Sequence, residues 1–115
     1  MELLQVTCRE DRGWTVVVAR GQLDVATAPR FRESLIEAQY GGATDVLVDI
    51  DDIEFVDSFG LGVLIGAHKR ARTHDAQLVV VCARQRTRQL LALTGLDSVL
   101  RVVDDAALVL DAVSS

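Results

Sequence analysis

Cysteine is scarce in this chain: Cys8 and Cys82 are the only two, and no second cysteine or histidine stands at metal-ligand spacing from either. A zinc ribbon and a thioredoxin-like CxxC centre are therefore excluded. Both cysteines sit in apolar stretches, so the expectation is two reduced, buried side chains. A regulatory disulfide is the alternative, and a Cα separation above about 7 Å would exclude it. No run of 18 apolar residues exists, and Met1-Glu2-Leu3-Leu4-Gln5 lacks the basic start and apolar core of a signal peptide. The chain reads as cytoplasmic, with no membrane partner. A cationic excess is missing too: 12 Lys and Arg face 17 Asp and Glu, a formal charge of -5, with a single lysine at 69. Aromatics make up 4% of the residues and none is interleaved with the basic run of Lys69, Arg70, Arg72, Arg84, Arg86 and Arg88, so no nucleic-acid partner is expected. Neither GxxxxGK[ST] nor GxGxxG occurs, which removes the common phosphate-cradling loops, and no cofactor or metal is implied.

What the chain does have is ordinary globular material: 115 residues, 50% apolar and 25% charged. That is one domain's worth of chain, 1–115. Leu4, Val6 and Cys8 alternate with polar neighbours, Asp11-Arg12-Gly13 supplies turn chemistry, and Trp14 to Ala19 is rich in β-formers. So short a connection requires an antiparallel hairpin. From Thr27 the period changes. Ala28, Phe31, Leu35 and Ala38 line one helical face, Thr27 is placed to cap it, Pro29 suits its first turn and Gly41-Gly42 ends it. Val46 to Ile50 and Gln77 to Ala83 are continuous apolar runs suited to strands covered on both faces, and the helix Phe59 to Thr73 joins them. A helix from Gln85 to Thr94 stopped by Gly95, a short strand Leu100 to Val103, and a last helix capped by Asp104 complete the order. The expected fold class is α/β: a mixed sheet of four to five strands opened by an antiparallel hairpin, about four helices packed on it, and a right-handed crossover through the helix from residue 59.

The sharpest local feature is Asp57-Ser58-Phe59-Gly60-Leu61-Gly62 between a strand and a helix. Gly60, Gly62 and Gly66 each weaken a helix by about 1 kcal/mol relative to alanine, so their presence calls for close packing or for a docking surface. Ser58 stands where free N–H groups converge, in position to cap the helix and also to accept a phosphate. It lacks a base for nucleophilic chemistry: His68 is ten residues along the same helix, about 15 Å by helical rise, and His74 is further. Asp49, Asp51, Asp52, Glu54 and Asp57 gather five carboxylates, read as a solvated acidic loop rather than a metal or phosphoaspartate site. Lys69, Arg70, Arg72, Arg84, Arg86 and Arg88 concentrate positive charge on helix surface.

The block from Val46 to Leu64, containing Asp57-Ser58-Phe59-Gly60-Leu61-Gly62, resembles the strand, loop and phosphorylation-site helix of the STAS domains of stand-alone bacterial anti-sigma factor antagonists. Gly21-Gln22-Leu23-Asp24 resembles that family's Gly-Glu-Leu-Asp segment, and Leu93-Thr94-Gly95-Leu96 its late helix end. The resemblance implies a partner switch. An unmodified antagonist binds an anti-sigma factor that is also a serine kinase, releases the sigma factor, is phosphorylated and dissociates, and a serine phosphatase resets it. Ser58 matches the phosphoacceptor. Asp24, Asp57 and the helix start Ser58, Phe59, Gly60, Leu61 and Gly62 match the partner surface. The family carries Ser or Thr where Phe59 stands and Glu where Gln22 stands. Beside this reading stand two others: a scaffold subunit of a stress-sensing assembly, and a small nucleotide hydrolase using Asp51 and Asp57.

Overall fold

The computed structural model describes residues 3–39 and 44–113. Five strands form one sheet in the order β1-β2-β3-β4-β5, with β1 (Leu4–Asp11) antiparallel to β2 (Trp14–Leu23) and all other neighbours parallel. The remaining strands are β3 (Asp45–Val56), β4 (Leu78–Val81) and β5 (Arg101–Val103). Four helices join them: α1 (Ala28–Gln39), α2 (Ser58–Thr73), α3 (Gln85–Leu93) and α4 (Ala107–Leu110). The opening hairpin turns at Arg12 and Gly13, both at positive φ (51° and 86°). Two such residues give the backbone twist that matches flanking strands, and Gly13 adopts it without strain.

The period of two explains why the central strands are apolar throughout. Val17 and Ala19 of β2, Val46, Val48 and Ile50 of β3 and Leu78 and Val80 of β4 share a core with Phe31 and Leu35 of α1 and Leu64 and Ala67 of α2. The alternate residues Trp14, Val16, Leu47, Val79 and Val81 pack with Val109 and Leu110 on the opposite face. Burying one side chain the size of Phe31 or Leu35 contributes about 1.5–3 kcal/mol, so both helices are held chiefly by this apolar contact.

Several expectations are corrected. The acidic stretch is not a loop, because β3 runs on to Val56. Its pairing with β2 slips twice, between Val18 and Arg20 and between Gly21 and Gln22, and two bulges break the alternation that marks a strand in sequence. Ile50 and Ile53 are consequently both buried. Cys8 is exposed while Cys82 is buried. The inward alternation of β1 fades after Leu4 and Val6, because β1 is an edge strand and Cys8 faces a shallow depression shared with Glu37 and Thr44. Thr27 does not cap α1 through its hydroxyl, which donates to the Gln22 carbonyl (2.8 Å) and accepts from the Asp24 N–H (3.0 Å). Asp104 pairs with Arg88, and it is Asp105 that accepts the N–H of Ala107 at the start of α4 (2.9 Å). Gly41-Gly42, expected to end α1, lies outside the described residues.

Candidate functional site

Sequence puts two capping residues side by side, and the backbone decides between them. Asp57 is extended (φ -110°, ψ -174°) and is the N-cap of α2, whereas Ser58 is the first helical residue. The expected serine cap is thus an aspartate cap. One carboxylate oxygen of Asp57 accepts from Phe59 N–H (2.9 Å) and Gly60 N–H (3.2 Å), satisfying two of the donors a helix start leaves open. The other accepts from Val25 N–H (3.2 Å) and ties the β2–α1 connection to the helix.

That connection is braced a second time. The Asp24 carboxylate accepts from Ala26 N–H (3.0 Å) and Thr27 N–H (3.1 Å), an Asx turn that leads into α1. Gly21, just upstream, has φ 109° and packs so closely on the Leu3 carbonyl that a Cβ would collide with it. Asp24, Asp57 and Ser58 therefore meet at one end of the sheet. Ser58 is exposed, and among the described residues none hydrogen-bonds its hydroxyl. Beside it Phe59 and Val25 remain 56% and 60% exposed, an unusual outlay of apolar surface at a helix start.

The sequence profile of the STAS domain matches residues 5–108. An anti-sigma-B factor antagonist of Staphylococcus aureus is 31% identical over 102 residues, covering 89% of this chain and 94% of that protein. The chain belongs to the STAS domain family. Among solved structures, an anti-sigma factor antagonist from Mycobacterium paratuberculosis superposes with a TM-score of 0.86 at 24% identity, covering 96% of this chain and 93% of its own. The Bacillus cell fate determinant SpoIIAA in its phosphorylated form superposes at 0.72 with 18% identity, over 96% and 100%.

Within this STAS domain the three glycines of α2 serve different ends. A Cβ on Gly60 would lie 2.8 Å from Leu23 Cβ and 3.0 Å from the Leu23 carbonyl oxygen, so Gly60 lets the helix start press against the end of β2. A Cβ on Gly62 would meet nothing within 4 Å, and one on Gly66 only the Arg70 guanidinium. Packing explains Gly60 alone. Gly62 and Gly66 instead open a groove of about 520 Å³ between α1 and α2, lined also by Val25, Pro29, Arg32, Phe59 and Arg70. Leu61, which the resemblance matches to the partner surface, is buried with the apolar stripe of the helix.

The acidic residues of β3 are dispersed in role. Asp51 accepts from Ala83 N–H (2.7 Å) and Arg84 N–H (3.0 Å), holding the β4–α3 connection. Asp49 accepts from Asp51 N–H (2.9 Å), and burial, reinforced by the charges of Asp51 and Asp52, pushes its carboxyl above the usual range. No cluster of three metal-ligating side chains occurs among the described residues. Burial raises both thiols, with Glu37 adding to the effect at Cys8 and Asp51 at Cys82. Cys8 lies on β1 and Cys82 follows β4, three strand spacings away, or about 14 Å. An internal disulfide is out of reach. No helix among the described residues is long and apolar enough to cross a membrane.

Proposed function

We propose that this STAS domain, spanning 1–115, is an anti-sigma factor antagonist of the cytoplasm. In its unmodified form it binds an anti-sigma factor that is also a serine kinase, and phosphorylation of Ser58 releases that partner. A serine phosphatase restores the binding form. The observation that carries the reading is the Ser58 hydroxyl, exposed and without a hydrogen-bond partner among the described residues on the first turn of α2, beside the uncovered side chains of Phe59 and Val25. The name of the Staphylococcus aureus relative supports the antagonist role, and the phosphorylated form of SpoIIAA supports a fold that tolerates the modification.

The physical chemistry is adequate. A phosphate adds about -1.5 to -2 charges to a surface whose binding face is partly apolar. A hundredfold loss of affinity needs about 2.7 kcal/mol, within the range for one uncompensated charge forced into an interface. In this reading the chain is a substrate and not a catalyst. Both carboxylates that a nucleotide hydrolase would use, Asp51 and Asp57, are engaged by backbone N–H groups on separate connections.

The test is incubation with ATP and the cognate kinase, followed by intact-mass measurement and binding. Wild type is expected to gain one phosphate and lose the partner. Ser58→Ala is expected to stay unmodified and bound, and Ser58→Asp to bind weakly. Phosphate found on Thr27 or Ser98 would overturn the assignment.

A further inference from the structure

The groove between α1 and α2 carries a charge arrangement that the phosphoacceptor reading does not use. Arg70 is fixed in it: its Nε donates to Gln39 Oε1 (3.1 Å), and the Gln39 amide is itself pinned by donating to the Ala67 carbonyl (2.9 Å). Its Nη2 is buried and has no acceptor among the described residues. Among the described residues no carboxylate pairs with it. Another cation, Arg32, acts on it electrostatically; Arg32 also lines the groove and has no ion-pair partner among the described residues. Glu33 stands on the same wall, without an ion pair to either arginine.

Two guanidiniums lining one groove in a protein of net charge -5 are a local exception. A buried guanidinium nitrogen without an acceptor has given up its hydration with no return, which costs stability unless a bound group supplies the acceptor. Gly62 and Gly66 keep the approach open, since a side chain at Gly62 would fill space that no neighbour occupies. The apolar part of the lining, Val25, Pro29 and Phe59, is continuous with the surface around Ser58.

We propose that this groove seats a segment of the anti-sigma factor partner in which a carboxylate side chain pairs with Arg70 and Arg32 while an adjacent apolar side chain packs on Pro29 and Phe59. The inference rests on the function proposed above and adds the chemistry of the partner. A carboxylate matches the planar fork of a guanidinium and forms paired hydrogen bonds with it. The Gln39 brace holds Arg70 in place before binding, which lowers the ordering cost of the contact. The groove lies off the α2 start, so it sets which partner fits, while Ser58 sets when that partner is released.

The experiment compares wild type, Arg70→Gln, Arg32→Gln and Gly62→Leu for binding to the purified cognate anti-sigma factor, with phosphorylation of Ser58 followed in parallel. Arg70→Gln is expected to weaken binding about 30-fold or more and Arg32→Gln less, each with a smaller salt dependence than wild type. Gly62→Leu is expected to weaken binding by a similar factor with no loss of thermal stability, because its Cβ meets no neighbour within 4 Å and its side chain extends from an exposed position into the groove. Folded variants that all bind as wild type does would overturn the groove while leaving the Ser58 switch intact. Failure of wild type itself to bind or be phosphorylated would overturn the function, and the groove with it. A titration with inorganic phosphate, read by backbone amide shifts, separates a small-anion pocket: shifts at Arg32 and Arg70, with partner binding unaffected by the variants, would overturn the carboxylate.

Discussion

The same substitution two residues apart in α2 is expected to have opposite signs. Gly62→Ala places its methyl in open space and removes the helix penalty of glycine, a gain of about 1 kcal/mol. Gly60→Ala gains no more than this and must also insert a methyl 2.8 Å from Leu23 Cβ and 3.0 Å from the Leu23 carbonyl. Leu23 is fully buried and hydrogen-bonded at that carbonyl by Asp57 N–H (3.0 Å), so the neighbour that has to move is backbone within the sheet and not the tip of a flexible side chain. Overpacking of this kind costs about 1–3 kcal/mol, which after a helix gain of about 1 kcal/mol leaves Gly60→Ala up to about 2 kcal/mol less stable than wild type.

The two variants are therefore separated by about 1–3 kcal/mol, or about 4–12 °C in Tm for a domain of this size. Thermal denaturation followed by circular dichroism reads the difference directly, and urea midpoints at constant m check that the unfolded states are comparable. A Gly60→Ala protein as stable as the Gly62→Ala protein would refute the close approach of α2 to β2. A destabilised Gly62→Ala protein would refute the claim that this glycine is free of packing duty.

Three further outcomes follow from two side chains. Asp57→Ala is expected to lose about 1–2 kcal/mol in urea denaturation, from the cap to Phe59 and Gly60 and the tether to Val25, and to speed hydrogen exchange at Val25. Asp57→Asn keeps an oxygen for the cap but sets an amide N–H against the Val25 N–H, so it is expected to retain most of the stability and still lose the exchange protection. Asp49 has its carboxyl raised by burial, so its ionised form costs the folded state stability above the folded pKa, and stability is regained as pH falls through the window between the unfolded and the raised folded value. Asp49→Asn is expected to exceed wild type in stability at pH 7, with the advantage shrinking on acidification through that window; an advantage independent of pH would refute the assignment.

Much of the fold is legible where one rule acts alone. The Arg12-Gly13 turn, the apolar face of α1 and the doubly covered strands β3 and β4 all follow from period and turn chemistry. The second half of β3 does not. Past Asp49 it has lost β4 as a neighbour and pairs only with β2, so its outward positions meet water and accept carboxylates, while the two bulges erase the alternation. Composition there reads as loop for sound reasons, and the backbone is strand. Cys8 misleads for a related reason, since an inward position on an edge strand is buried only as far as a helix covers it. At the candidate site the residue types were legible and the cap was off by one, because Asp57 and Ser58 are equally good capping residues and only the dihedral angles of residue 57 distinguish them. The role of Arg70 was hidden altogether: in sequence it is one of a basic run at a helix end, and only its burial beside Gln39 sets it apart.

The capping aspartate also changes how a phosphate on Ser58 would act. A helix start ordinarily welcomes an anion because its N–H groups are free. Here the Asp57 carboxylate already holds those of Phe59 and Gly60, and Leu61 N–H is bonded to the Asp57 carbonyl (3.1 Å), leaving Ser58 N–H as the first-turn donor without an acceptor among the described residues. A phosphate would meet one donor and an adjacent carboxylate. It gains too little to fold back onto the helix end and is repelled by Asp57, so it must project into solvent beside Phe59 and Val25. The modification then leaves the interior untouched and places its charge where an apolar partner surface would have to desolvate it. In the proposed switch, occupied donors, and not a rearranged fold, would confine the effect of the phosphate to the surface.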